Sequence, residues 1–159
     1  MNLTFVGGLA VTVSEIIKSS AGGGEARPVC AGTVGASDPA VKSYLFQTDL
    51  GDDRLILSFV VHRTGAAGTY AIGDYPDGSK DAPAAVNVLL FRVGPGEGFA
   101  TWNSGSGNLV VDPGGRSGSL TASLGFVGWR TLPQKPNSPL PTALPGLQVS
   151  GTWVCPDGS

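Results

Sequence analysis

The sequence is poor in the residues that most active sites need. It has a single histidine, His62, and only 14% of its residues are charged. A catalytic triad or a Cys–His pair would have to use that histidine, yet it lies inside the apolar run RLILSFVVHR at 54–63. We therefore interpret His62 as an ordinary strand residue and predict no enzyme. Spacing alone does not exclude a carboxylate pair for glycoside hydrolysis.

Clustered positive charge and long apolar runs are absent as well. The 10 Lys and Arg residues are scattered, and the net charge is −2, whereas nucleic-acid binding needs a dense positive face. No run approaches the roughly 18 apolar residues of a membrane-spanning helix, so no transmembrane segment is predicted. No signal peptide is visible, and we expect that an export signal was removed ahead of Met1.

Glycine and proline are abundant instead. The 25 glycines and 12 prolines punctuate short apolar runs, which is typical of many strands joined by turns. The pattern predicts a single all-β domain over 1–159: an antiparallel β-sandwich or, alternatively, a partly closed β-barrel. The strands are predicted at 2–17 (one strand, or two broken at Gly7-Gly8), 41–50, 54–63, 69–72, 85–93, 119–127 and 147–155, with a hairpin of 99–102 and 109–111 across the tip NSGSGN.

Three features refine this prediction. The residues of 54–63 are apolar on both faces, which indicates a strand that is partly covered on each side. In contrast, 119–127 alternates Leu, Ala and Phe with Ser and Thr, as a half-exposed antiparallel strand does. The segment 131–146 holds five prolines, and proline cannot donate to a sheet, so we predict an extended surface loop there.

The two cysteines, Cys30 and Cys155, lie near opposite ends of the chain. We predict a disulfide between them because the low charge content is typical of an extracellular β-protein. The alternative is a pair of free buried thiols. A bridge closing so long a loop would stabilise the fold by about 5 kcal/mol in the simple chain-entropy model. Cys155 alternates with Val149 and Trp153 on the apolar face of the last strand, which indicates a partly buried bridge.

Two groups of residues are candidates for binding. The aromatic residues Trp102, Trp129 and Tyr75 would grip a sugar ring if they were exposed at the rim of the sheet, whereas core packing is the usual place for large rings. For Trp153 we predict core packing. The second group is acidic: Asp74, Asp77 and Asp81 make a weak calcium candidate. These aspartates lack EF-hand spacing and suit a turn equally well, so neither a metal nor any other cofactor is predicted.

The C-terminal segments GRSGSLTASL and VSGTWVCP resemble the ending of small secreted or lipid-anchored β-sandwich proteins of unknown function from bacteria. GTY at 68–70 also resembles a mid-chain element of that group, and the likeness covers about half of the chain. The proline-rich segment 131–146 departs from the pattern. In the group an upstream cysteine is expected to pair with the final one, and Cys30 and Cys155 occupy those places. The resemblance implies an envelope β-sandwich and implies no activity.

Three functions follow as hypotheses, in this order of preference. The first is a non-catalytic extracellular module for binding or adhesion, with a glycan or another surface ligand as partner. The second is a structural subunit of a surface filament or layer that self-associates through strand edges or an exchanged strand. The third is a carbohydrate-active enzyme.

Overall fold

The computed structural model describes residues 1–8, 11–13, 30–32, 41–50, 53–62, 67–74, 83–92, 98–131 and 143–155. These ranges contain β-strands and no helix, and the strands with five or more residues number eight. All strands, in chain order, are β1 (Asn2–Gly7), β2 (Val11–Val13), β3 (Cys30–Gly32), β4 (Val41–Leu50), β5 (Asp53–His62), β6 (Gly68–Ile72), β7 (Ala84–Arg92), β8 (Gly98–Val111), β9 (Ser117–Thr131) and β10 (Leu147–Val154).

The described strands form one mixed sheet that curves into a half-barrel. Their order across the sheet is β2-β1-β10-β9-β8-β6-β7-β5-β4-β3, and β7 also pairs directly with part of β8. The pairings are antiparallel except for the short contact of β6 with β7 at Ile72 and Ala84. The predicted all-β class is confirmed, whereas a sandwich of two separate sheets is not confirmed by the described residues.

The core fills the concave side of the half-barrel because apolar residues alternate with polar ones along most strands. In β9, Leu120, Ala122 and Leu124 are buried while the serines and threonine between them are not. This confirms the predicted half-exposed strand. In β5 the intervening residues Ile56 and Val60 are themselves half-buried, which confirms that this strand is partly covered on both sides.

Aromatic rings from distant strands pack together inside the half-barrel. Trp153 of β10 is fully buried, as predicted, and its ring centroid lies 4.9 Å from that of Tyr44 on β4 and 5.2 Å from that of Phe59 on β5. Tyr44 also stacks on Phe59 at 4.8 Å. Strand β10 is far from β4 and β5 in the strand order. These contacts therefore join the two sides of the curved sheet across its concave face.

Tyr44 also fastens the turn between β8 and β9. Its hydroxyl donates to the carbonyl oxygen of Gly115 across 3.2 Å. Burial raises the pKa of the Tyr44 hydroxyl above its usual value, and the nearby Tyr70 raises it further. The turn itself is closed by the hydroxyl of Ser117, which donates to the Asp112 carboxylate across 2.7 Å.

Strand β8 differs from the sequence prediction. The hairpin predicted across NSGSGN is wrong: residues 98–111 form one continuous strand with a register shift at 104–106. The strand is long because its two ends pair with different neighbours on one side, β7 with 98–103 and β6 with 107–111. We call the point at which β8 changes its partner from β7 to β6 the fork. A glycine- and serine-rich segment is compatible with a turn, but here it stays extended across the fork.

Two glycines mark close approaches of the backbone. Gly7 ends β1 at a φ of 117°, and β2 pairs antiparallel with β1, so of the two predicted alternatives the one with a break at Gly7-Gly8 is right. A Cβ atom at Gly7 would collide with the carbonyl oxygen of Gly146. In β9, a Cβ at Gly118 would collide with the carbonyl oxygen of Val110 and with the indole of Trp153. Gly118 therefore makes room for Trp153, one of the two tryptophans in the core.

Candidate binding surface

The predicted aromatic binding residues do not come together as an exposed group in the described structure. Trp102 is fully buried on β8, and its Nε1 donates to the carbonyl oxygen of Pro145 across 2.9 Å. Its ring packs on Phe126 with centroids 5.6 Å apart, so Trp102 has no exposed face for a sugar. The backbone of Trp129 pairs with Ala100 in the sheet, and its side chain lies outside the described part. Tyr75 lies outside the described residues altogether.

The acidic candidates are described only at the start of their loop. Asp74 is exposed and lies two residues beyond the end of β6, whereas Asp77 and Asp81 lie outside the described residues. Among the residues that the structure describes, no group of three or more His, Cys, Asp or Glu side chains could hold a metal ion. The calcium hypothesis stays a prediction.

The disulfide also stays a prediction. Cys155 is only 4% exposed and belongs to the core, as its place on the apolar face of the last strand predicted. Its amide donates to the carbonyl oxygen of Arg116 across 2.7 Å. Cys30 is described for its backbone, which pairs with Tyr44 at the edge of the sheet, but its side chain is outside the described part. The side chain of His62, the last residue of β5, is outside it too.

A buried polar cluster lies at the fork where β8 changes partner. The hydroxyl of Ser104 donates to the carbonyl oxygen of Gly73 across 2.6 Å and accepts the amide of Val86 across 2.9 Å. Asn87 donates its amide to Asn103 Oδ1 at 2.8 Å and is 6% exposed. The cluster satisfies backbone groups that the fork leaves outside the regular ladder. We interpret it as structural.

The most distinctive surface is the convex, outward side of β1, β6, β8, β9 and β10, which we call the hydroxyl face. Strand register places its side chains in rows, because paired residues of neighbouring strands point to the same side. Its members are exposed or half-buried hydroxyl, carboxamide and small apolar side chains. The rows are Asn2–Thr152–Ser119–Val110–Thr69, Thr4–Ser150–Thr121–Asn108–Ala71 and Val6–Gln148–Ser123–Ser106.

The hydroxyl face carries no charge. Strands β1, β6, β8 and β10 contain no Asp, Glu, Lys or Arg, and β9 contains Arg130 alone, beyond the rows. The other charged strand residues lie in β4, β5 and β7. About a quarter of the residues of an ordinary protein are charged, and most are at the surface. At that share about three of the 14 row positions would be charged, and none is.

Exposed valines border the same face. Val6 is 57% exposed, Val127 is 61% exposed and Val154 is 57% exposed, and these are the exposed large hydrophobic residues of the described part. Val154 pairs with Ser117, beyond the first row, and Val127 follows the last row along β9, so the two valines lie on opposite sides of the set of rows. The face thus combines a hydrogen-bonding centre with apolar margins.

Chemically, the hydroxyl face suits neutral hydrogen-bonding partners. Serine and threonine hydroxyls both donate and accept, and carboxamides offer one group of each kind. The hydroxyl of Ser123 already donates to Gln148 Oε1 across 2.8 Å, which orders one corner of the face. The rows contain no His, Cys, Asp, Glu or Lys side chain.

Comparison with known proteins adds no relative. No family model matches the chain, and neither the curated proteins nor the solved structures contain a match. The resemblance of the C-terminal segments to bacterial envelope proteins thus remains an expectation. In the part of the chain that the structure describes, no helix has the length and hydrophobicity of a membrane span.

Sequence reasoning missed the hydroxyl face although its elements were visible. Alternation within 119–127 predicts which side of that one strand faces outward, and it does not predict which strands lie beside it. A signal was available, because 119–123 and 148–152 contain no charged residue. The pairing of β10 with both β9 and β1 was needed to join them into one surface.

Proposed function

We propose that this chain is a non-catalytic extracellular binding or adhesion module whose contact surface is the hydroxyl face. The observation that carries the proposal is the uncharged grid of hydroxyl and carboxamide side chains, bordered by the exposed valines. Three neighbouring rows without a charged side chain are poorly explained by solubility, which charged side chains serve better. It is well suited to a partner that offers many weak hydrogen bonds.

A secreted or envelope location fits the same proposal. The backbone of Cys30 pairs with Tyr44, and the ring of Tyr44 contacts Trp153, two residues before Cys155. This arrangement supports the predicted disulfide, which would fasten the β3 edge of the sheet to β10 and is typical of an oxidising compartment. The contact of β10 with β4 and β5 likewise supports a two-layered, sandwich-like arrangement for the whole chain.

The experiment is a co-sedimentation of the purified protein with isolated bacterial cell envelopes. Thr121→Glu places a charge in the middle row of the hydroxyl face, where Thr121 is exposed. The matched control is Ala67→Glu, at an exposed position that precedes β6 and lies outside the rows. We expect the wild type and the control to sediment with the envelopes and Thr121→Glu to stay in solution. Equal sedimentation of all three proteins, or of none, would refute the proposal.

A second candidate, the structural subunit, is favoured by the edge at β4. Among the described residues, β3 pairs with β4 only at Ser43 and Tyr44, so 45–50 pair with β5 alone. A strand edge of this length can accept a strand from another molecule. Under this hypothesis the protein forms filaments visible by negative-stain microscopy, and Gln47→Lys reduces them because an edge lysine opposes pairing. A monomer at all concentrations in sedimentation velocity would exclude it.

A further inference from the structure

We propose that the partner of the hydroxyl face is a neutral polysaccharide, bound along its length and without aromatic stacking. This inference rests on the proposed function, because it names the partner of the same surface. It differs from a sugar site built on Trp102, Trp129 and Tyr75, since it uses hydroxyl and carboxamide side chains in register across the sheet.

The lack of charged side chains in the rows restricts the charge that a partner can carry. An anionic partner, such as an acidic polymer or lipid surface, would be held by Lys and Arg, and a cationic partner by Asp and Glu. The rows contain neither. The complementary partner of an uncharged hydrogen-bonding surface is itself uncharged, because any charge it buried there would be left unpaired.

The hydrogen-bonding chemistry restricts the partner further. Strands lie about 4.8 Å apart, and outward side chains recur about every 6.8 Å along each strand. The rows through Thr152, Ser150 and Gln148 therefore present donors and acceptors on a regular lattice. A polymer of sugar hydroxyls offers the same mixed donors and acceptors at short intervals, so it can pair with several rows at once.

Shape and composition disfavour the other uncharged partners. Small-molecule sites are concave and enclose most of the ligand, whereas the hydroxyl face is the convex side of a half-barrel. Most of the binding energy of protein interfaces comes from Trp, Tyr and Arg side chains, and the rows contain none of these. A protein partner is therefore disfavoured. An extended polymer needs neither a pocket nor an anchor residue. Each contact is weak, and many contacts along one polymer add to useful avidity.

The test measures retention of the protein on insoluble neutral polysaccharides, with microcrystalline cellulose, chitin and cross-linked amylose as the probes. Alginate beads and vesicles of phosphatidylglycerol are the anionic comparison. The variants are Thr121→Glu and Thr121→Lys, with Ala67→Glu and Ala67→Lys as controls away from the rows. Circular dichroism and urea unfolding establish that each variant is folded.

We expect the wild type and both controls to bind at least one neutral polysaccharide. Both charges at Thr121 should weaken that binding by about tenfold or more, whatever their sign, because either one would be buried without a partner. Equal weakening by a negative and a positive charge is what distinguishes a neutral partner from a charged one. Stronger binding of the wild type to the anionic matrices than to the neutral ones would overturn the proposal in favour of an acidic partner.

The failures of the two proposals are distinguishable. If the wild type sediments with bacterial envelopes in a Thr121-dependent way but binds no neutral polysaccharide, the neutral partner is refuted and the binding module stands. If substitutions at Thr121 change neither interaction, the hydroxyl face is only a solvated surface and both proposals fail.

Discussion

Ser104 supports the fork in the sheet through two buried hydrogen bonds, and its removal has a predictable cost. Ser104→Ala deletes the acceptor of the Val86 amide and the donor to the Gly73 carbonyl. Val86 is fully buried, so its amide would lose a partner that water cannot replace, which costs about 1–3 kcal/mol. Gly73 is only half-buried, and water can partly compensate its carbonyl. We expect a total loss of about 2–3 kcal/mol in the free energy of unfolding.

The assay is equilibrium unfolding in urea, with hydrogen exchange as a local readout. With a slope of about 2 kcal/mol per molar, the midpoint should fall by about 1–1.5 M. The matched control is Ser106→Ala, because Ser106 lies two residues along β8 and is exposed. Its effect should stay within about 0.5 kcal/mol. The Val86 amide should also exchange faster in Ser104→Ala. A wild-type midpoint together with unchanged protection of Val86 would refute this account of the fork.

Three further predictions address the core, the turn and the bridge. Gly118→Ala should lower the free energy of unfolding, measured in urea, by about 2 kcal/mol or more, because the neighbouring backbone cannot move away from the new methyl group. The control Gly125→Ala places its methyl group in open space and should be nearly neutral. Equal effects of the two substitutions would contradict the close packing at Gly118. Burial raises the pKa of Tyr44 above 10.0, so the folded state holds this proton longer than the unfolded state does. Stability should therefore fall above about pH 10, and less so in Tyr44→Phe; parallel pH profiles of the two proteins would rule this out. Thiol titration of the unreduced, denatured protein should find no free thiol; two reactive thiols would show that Cys30 and Cys155 are not bridged.

Much of the secondary structure was predictable because it depends on local sequence patterns. The strands at 41–50, 54–63 and 147–155 were predicted within a residue or two of β4, β5 and β10. Apolar and polar residues alternate with period two in 147–155, whereas 54–63 is a short apolar run between turn residues. Around NSGSGN the same reasoning failed. Gly and Ser favour turns locally, but pairing with β6, β7 and β9 together keeps β8 extended.

The all-β class and the burial of Trp153 and Cys155 could be predicted from the sequence alone. These properties follow from composition and from side-chain alternation within single strands. Two features became apparent only in the folded structure, because they depend on contacts between residues that are distant in sequence. Trp102 is buried under the Pro145 carbonyl, and β10 lies between β1 and β9. The hydroxyl face depends on that order. Its rows join residues near both ends of the chain, and strand register, not sequence distance, determines which side chains become neighbours.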